Sequence, residues 1–342
     1  MRAVFFRSFG GPEVLEEGEL PTPEPGPGQL RMKVIASALN HLDVWVRMEP
    51  SDIPMPHVGG SDVVGTVDAV GRGVRLPLGA RGVLLPTLSC GRCATCRRGE
   101  ESLCKEFGIL GSETNGGLAE YVVAPARNFV RVPGSLPDRI AAAYPLTALT
   151  AYRMLVTKAR LRRGETVLVH GAGGGLSSIG IQIARALGAR VIATTTTPAK
   201  VACAKRLGAF AVIDYRREDV LRRVRELTNG EGVDIVFENV GEATFRTSLQ
   251  ALKKGGRVVT AGASTGGEFP VDVGDVYWRQ LAILGSTMGG RWEFAAASRL
   301  VFSGKVQPAI DRVQALTARN VRAGHEALEA GSQFGKIIFR AA

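Results

Sequence analysis

The spacing of apolar residues changes character once along the chain, near residue 148. Before that point they fall into short runs: Leu30–Leu39 ("LRMKVIASAL"), Val63–Val70 ("VVGTVDAV"), Gly82–Pro86 ("GVLLP") and Leu118–Ala124 ("LAEYVVA"). Each run has strand length and is broken by Gly or Pro, which predicts a compact β-rich unit. Pro21–Gln29 ("PTPEPGPGQ") has no apolar period and predicts a loop. Beyond residue 148, strand-length runs take turns with amphipathic runs of helical length. "ETVLVHGAGG" precedes "SSIGIQIARALGA", "RVIATTTT" precedes "AKVACAKRLGA", "AVIDY" precedes "DVLRRVREL", and "VDIVFENVG" precedes "TFRTSLQALKKGG"; "RVVTAGAS" and "LAILGST" follow. Strict alternation predicts an α/β unit with a doubly wound parallel sheet and helices on both faces. The stretch after residue 287 finishes on a strand pattern, "QFGKIIFRAA", which could rejoin the first unit. The expected division is therefore 1–147, 148–287 and 288–342, and the chain has no internal repeat.

Composition narrows the class without changing that picture. At 342 residues, with 45% hydrophobic and 22% charged residues, the chain has the make-up of an ordinary folded protein. No apolar run approaches the roughly eighteen residues of a membrane helix. The opening "MRAVFFRSFGGPEVLEEG" lacks the order of a secretory signal, so the expected location is cytoplasmic and the thiols are expected to be reduced. The formal net charge of +11 raises nucleic acid as a partner. Basic residues are scattered, however, with no aromatic interleaving, so the expected partner is a small-molecule substrate, with a general attraction for anionic cofactors.

Cys90, Cys93, Cys96 and Cys104 follow C-x2-C-x2-C-x7-C. In a reducing compartment that spacing points to metal ligands rather than disulfides. Four thiolates complete a tetrahedral site and leave no open position, so such a metal orders a loop without entering a reaction. Zinc is the expected occupant, one per chain, and iron accepts the same ligand set. Cys203 lies apart, on a helical run, and reads as a packed thiol.

"GETVLVHGAGGGLSSIGIQIA" reads as strand, glycine-rich turn and helix start, the arrangement that lays a pyrophosphate against backbone N–H groups. The literal G-x-G-x-x-G fails, because Leu176 and Ser178 stand where a final Gly would be. What remains is Gly171, Gly173, Gly174 and Gly175, then Leu176 and Ser177, the last small enough for the helix to approach the strand. NAD binding usually uses an acidic residue about twenty positions further on. From Arg190 to Lys200 there is none. Thr195, Thr196, Thr197 and Lys200 could donate to a 2′-phosphate, which favours NADP(H). The alternative is that these threonines finish a strand and cap the next helix.

Together these features resemble the medium-chain dehydrogenase/reductase superfamily, which includes zinc alcohol dehydrogenases and zinc-free quinone oxidoreductases. The resemblance implies a GroES-like catalytic domain carrying the zinc loop at 89–104, a Rossmann domain inserted within it, a cleft between the two, and a homodimer or homotetramer. The dimer would form through edge strands near "AILGST". The four-cysteine loop matches the structural-zinc lobe of the alcohol dehydrogenases, while "GGGLSSIGIQIA", "IDYRRED" and "NHLD" look more like the quinone oxidoreductases. It further implies that Tyr215 lies near the 2′-phosphate; Thr150 and Gly262 join the expected cofactor contacts.

In the alcohol dehydrogenases the catalytic zinc hangs on a Cys, a "GHE" histidine and a second Cys. Asn40, Ser61 and Leu146 stand at those places here, and only Asp62, matching the Glu of "GHE", could still ligate. A rearranged site using His41 or His57 is the alternative. Without the metal, saturated alcohols are expected to be poor substrates. The expected activity is hydride transfer between NADPH and a quinone, enone or bulky ketone, with a zinc-dependent alcohol dehydrogenase or a low-turnover NADPH-binding protein as alternatives. Asn40 and Ser61 are the expected donors to substrate oxygen, and Asp43 and Asp62 are expected to orient neighbours. His41 would contact pyrophosphate or relay a proton, or else be satisfied by backbone. Tyr144, Thr150 and Tyr152 are expected at the cleft wall, and Trp45 either lines a pocket or belongs to the core.

Overall fold

A computed structural model describes residues 1–341, which divide into two compact units. The first takes residues 1–146, 289–302 and 308 onward; the second takes 147–288 and 303–307.

In the first unit, Gly and Pro cut the chain into short strands, as the apolar runs require. They are β1 (Arg2–Phe5), β2 (Glu16–Glu19) and the long β3 (Gln29–Ala38), followed by helix α1 (His41–Met48) and β4 (Asp62–Val70). Then come β5 (Arg81–Leu84), β6 (Thr87–Leu88), α2 (Ala94–Arg97), β7 (Gly108–Ile109), β8 (Tyr121–Pro125) and β9 (Phe129–Arg131). Helix α3 (Asp138–Ala143) precedes α4 (Pro145–Tyr152), where the first unit gives way to the second.

The second unit alternates strand and helix: β10 (Thr166–Val169), α5 (Gly175–Ala186), β11 (Arg190–Thr195), α6 (Pro198–Arg206), β12 (Ala211–Asp214) and α7 (Val220–Leu227). It continues with β13 (Val233–Glu238), α8 (Glu242–Ala251), β14 (Leu252–Thr260), α9 (Val273–Trp278) and β15 (Ala282–Gly285). The chain returns to the first unit with α10 (Arg291–Phe302), β16 (Ile310–Ala315), α11 (Ala318–Glu329) and β17 (Lys336–Arg340).

The six strands of the second unit are all parallel, in the order β12-β11-β10-β13-β14-β15. Inner strands of such a sheet are covered on both faces and need continuous apolar sequence. Leu168, Ile192, Val236 and Val258 accordingly have no exposed surface. The strand order reverses between β10 and β13, the point where an open parallel sheet leaves a crevice at its carboxyl ends. One expected element ends early. "TFRTSLQALKKGG" reads as helical throughout, yet α8 stops at Ala251 and Leu252 opens β14. Gly255 (φ 74°) and Gly256 cannot sustain a helix, and Lys253 instead pairs with Asp234 of β13.

The main sheet of the first unit runs β16-β17-β3-β4-β5-β9, with β8 also paired to β3. β3 is antiparallel to both β4 and β17, with Ala38 opposite Asp62 and opposite Ile338. The end of β3 thus lies beside the beginnings of β4 and β17. Residues near 40, 62 and 336 meet there, although residue 336 is hundreds of positions from the other two in sequence.

Candidate active site

At that end of the sheet, Asp62 is wholly buried and uses both carboxylate oxygens. Oδ1 accepts from the Leu146 backbone N–H at 2.6 Å; Oδ2 accepts from Asn40 Nδ2 at 2.9 Å and from Lys336 Nζ at 2.8 Å. Lys336 Nζ also donates to Asn40 Oδ1 at 2.5 Å. Lys336 is 3% exposed and Asn40 6%. Asp62, expected as the one ligand left over for a metal, is therefore the partner of a buried ammonium. The physical reason is that a carboxylate this deep needs a compensating cation or several donors, and here it has both.

Asp43 holds the neighbouring loop. Its Oδ2 accepts from Asn40 N at 2.8 Å and its Oδ1 from Gly60 N at 2.7 Å. Burial pushes its pKa up to about 6, against the opposing pull of those two N–H groups. Ser61 differs from the expected donor role: it has no exposed surface, and its hydroxyl has no partner in the protein. It lies at the start of the central strand β4, where the sheet covers it, while Asn40 follows the end of β3 and keeps a little exposure.

His41 opens α1, half-buried, with its ring 5.1 Å from that of Trp45. Burial lowers its pKa. His57 is buried beside Phe6, with Nε2 3.2 Å from the Gly111 carbonyl oxygen. Neither histidine joins a second metal cluster. Among the described residues, the four cysteines are the only group of three or more His, Cys, Asp or Glu placed to share a metal ion.

Those cysteines are not disulfide-bonded. The sulfur of Cys90 lies 3.9 Å from that of Cys96 and 3.6 Å from that of Cys104, and Cys93 lies 3.8 Å from Cys104. A tetrahedron with a zinc–sulfur distance of about 2.3 Å has edges of about 3.8 Å, so the sulfurs stand at the spacing a tetrathiolate metal requires. Backbone N–H groups of Cys93, Arg92 and Glu106 point at sulfurs, at 3.3, 3.5 and 3.3 Å. Such donors favour the thiolate form.

In the second unit the glycine-rich turn sits at the carboxyl end of β10, next to β13 at the reversal point. Gly171 has φ 62°, a conformation that favours glycine, and its N–H donates to Thr194 Oγ1 at 3.2 Å. Gly174 is the N-cap of α5, so the N–H groups of Gly175, Leu176 and Ser177 have no partner within the helix. Gly173 is buried beneath the turn. Ser177 Oγ donates to the His170 carbonyl at 2.7 Å and ties helix to strand. A side chain on Gly174 would meet nothing closer than 3.5 Å, which leaves the turn open to an anion.

The threonines divide their roles. Thr195 is buried at the end of β11, Thr196 is half-buried, and Thr197 caps α6 by accepting from Lys200 N at 3.2 Å. For Thr197 the capping alternative is what the chain uses. Tyr215 is exposed after β12 and donates its N–H to the Thr195 carbonyl at 3.1 Å, which sets it at the mouth of β11. Gly262, at φ 148°, follows β14 close to the Asn239 backbone. Thr150 is buried, its hydroxyl 3.8 Å from Met288 Sδ. Tyr144 is no wall residue: it has no exposed surface, stacks on Phe294 at 5.9 Å and hydrogen-bonds Ser298 at 3.1 Å. It caps the end of α3 and packs against α10 through Phe294, Ser298 and Phe302.

Three residues escape sequence reasoning. Lys336 has no motif; its only signal is a cation opening an otherwise apolar strand, "KIIF". Asp214 stands opposite Thr195 and so brings a carboxylate to the carboxyl end of β11 from the adjacent strand. That carboxylate accepts from Arg216 N at 3.1 Å and lies 3.9 Å from the Arg217 guanidinium. His170, buried beneath the glycine turn, contacts Thr194 Oγ1 at 3.3 Å.

Comparison with known proteins adds the lineage. Residues 26–134 match the alcohol dehydrogenase GroES-like domain, and residues 175–303 match the zinc-binding dehydrogenase family. A crystal structure of an NAD-dependent alcohol dehydrogenase is 46% identical, covers 100% of both chains and superposes with a TM-score of 0.96. A quinone oxidoreductase of Pseudomonas aeruginosa is 34% identical over 80% of this chain and 77% of its own. A crotonyl-CoA carboxylase/reductase solved in complex with NADP is 28% identical, with a TM-score of 0.93 over 99% of this chain and 94% of that one. With a GroES-like unit, a Rossmann sheet and relatives of these three kinds along most of its length, the chain belongs to the medium-chain dehydrogenase/reductase superfamily, as an oxidoreductase of the zinc-type alcohol dehydrogenase and quinone oxidoreductase branch.

Proposed function

We propose that the chain transfers hydride between NADP(H) and an apolar, readily reduced carbonyl compound, a quinone, an enone or a bulky ketone, without a catalytic metal. The observation that carries this reading is the closed network at the sheet end. Asn40, Asp62 and the Leu146 amide, three of the positions where the alcohol dehydrogenase pattern places a reactive metal, are bound to one another and to Lys336. At the Cys, His and Cys positions of that pattern, Asn40, Ser61 and Leu146 offer an amide, a hydroxyl and an aliphatic side chain where zinc needs thiolate or imidazole.

NADPH, when bound, would supply a hydride to the electrophilic carbon of the substrate, and the reduced oxygen would take a proton from solvent. Asn40 is the donor that faces the developing oxyanion. The turn from Gly171 to Ser177 would hold a pyrophosphate against the first amides of α5. Support for NADP(H) is the absence of a carboxylate on β11, with Lys200, Tyr215 and Arg216 around its end and Asp214 engaged by its own neighbours. One structural zinc would occupy the cysteine tetrahedron, where it orders residues 90–104. We also propose a homodimer formed through the edge strand β15.

A steady-state panel of quinones, enones, aryl ketones and small alcohols, run with NADPH and NADH after exhaustive chelation, tests the reading. Reduction with NADPH should exceed ethanol oxidation by orders of magnitude and survive chelation. Fast ethanol oxidation, or activity lost with a labile second metal, would overturn it.

A further inference from the structure

We infer that Lys336 is a positioning residue for the reduction, a fixed cation that orients and polarises the Asn40 amide; this rests on the reading of Asn40 as the donor to substrate oxygen. An asparagine amide can in principle sit either way round, with oxygen and nitrogen exchanged. Here the choice is forced from both sides. An ammonium can only donate, so it fixes Oδ1 on the Lys336 side; an ionised carboxylate can only accept, so it fixes Nδ2 on the Asp62 side. Nδ2 carries two hydrogens. Asp62 takes one, and the other is left for a substrate.

The cation adds strength as well as direction. A positive charge on Oδ1 draws electron density from the amide nitrogen, so its remaining N–H becomes a stronger donor. The pair is sealed from solvent, with Lys336 and Asp62 side chains 3% and 0% exposed, so water does little to screen that effect. A buried ion pair is weak evidence for a stabilising role, because desolvating two charges consumes most of what their attraction returns. Polarisation gives it something to do. Lys336 stands at the first residue of β17, and the antiparallel pairing of β17 with β3 delivers its amine to the residue just beyond β3.

The test compares Lys336→Met, which keeps length and loses charge, with Lys336→Arg, which keeps charge and donors, alone and combined with Asn40→Ala. Three readouts are taken: kcat and KM for reduction of an aryl ketone, NADPH affinity by fluorescence titration, and the absorption maximum of bound para-dimethylaminocinnamaldehyde, which moves to the red when a donor polarises its carbonyl. Lys336→Met should lower kcat by about ten- to a hundredfold, leave NADPH affinity within about twofold, and abolish most of the red shift. Lys336→Arg should recover most of each. In the Asn40→Ala background, losing the lysine should cost little more. An unchanged red shift in Lys336→Met, or the same proportional loss with and without Asn40, would overturn the inference. If Lys336→Met fails to fold, Lys336→Gln with the same spectral readout decides. The spectral shift needs no turnover, so it separates failure of this inference from failure of the proposed reaction: a parent protein that polarises the probe but reduces nothing would refute the latter alone.

Discussion

Lys200 and His325 carry opposite kinds of residue-scale consequence. Lys200 stands in the first turn of α6, half-buried, beside a β11 that ends without an acid. Under the NADP(H) reading its ammonium meets the 2′-phosphate, so Lys200→Ala should weaken NADPH by about tenfold, the worth of a charge-assisted contact, and leave NADH nearly unchanged. Equal losses in a fluorescence titration would remove Lys200 from that pocket. His325 is 2% exposed in α11, and burial, with Arg47 and His41 nearby, pushes its pKa down to about 3. The unfolded chain takes up that proton at about pH 6.5 while the folded chain does not. Stability from this group is therefore intact above about pH 6.5 and is lost below it, at about 1.4 kcal/mol per pH unit until the folded value is reached. His325→Leu should flatten the fall of melting temperature between neutral and mildly acidic pH. Parallel curves for parent and variant would contradict it. Neither environment is visible in the sequence, because burial of a lone histidine depends on the helix packed over it.

At the scale of elements, the cysteine loop is the clearest case of spacing that dictates structure. Four sulfurs within fifteen residues cannot stay apart once a metal draws them in, and the short α2 between Cys93 and Arg98 sets their separation. Cys93→Ala should take metal analysis from one zinc per chain to less than half and lower the melting temperature by several degrees. The kcat of the folded fraction should stay within about twofold, since a closed tetrathiolate site has no open position for substrate. A kcat loss matching the zinc loss would mean that the loop enters the reaction. Strands and helices of the second unit were legible from period alone, since continuous apolar runs and amphipathic runs differ plainly. The start of β14 was not. "LKKGG" has the composition of a helix end, and only the pairing of Leu252 with Val233 of β13 opens the strand there, before the ladder resumes at Arg257.

For the whole molecule, the open question is assembly. β15 is an edge strand of the six-stranded sheet, and Ile283 within it is 41% exposed. In the preceding helix, Val273, Tyr277 and Trp278 are 71%, 70% and 74% exposed. Unpaired edge backbone flanked by large apolar side chains is a template for a second copy of the same edge. Ile283→Lys should therefore give a monomer by light scattering where the parent gives a dimer, with Trp278→Glu weakening it in the same direction. A monomeric parent at working concentration would remove the proposal.

What the sequence determined by itself was whatever depends on neighbours along the chain: the change of period near residue 148, the close spacing of Cys90 to Cys104, and the glycine turn from Gly171. What only the tertiary structure decided was whatever depends on strands from distant parts of the chain lying side by side. Antiparallel pairing of β3 with β4 and β17 brings Asn40, Asp62 and Lys336 together, and parallel pairing of β11 with β12 brings Asp214 to Thr195. The physical reason is that backbone hydrogen bonds fix register without regard to separation in sequence. A buried carboxylate then takes whichever cation that register delivers, and no local pattern records which one it will be.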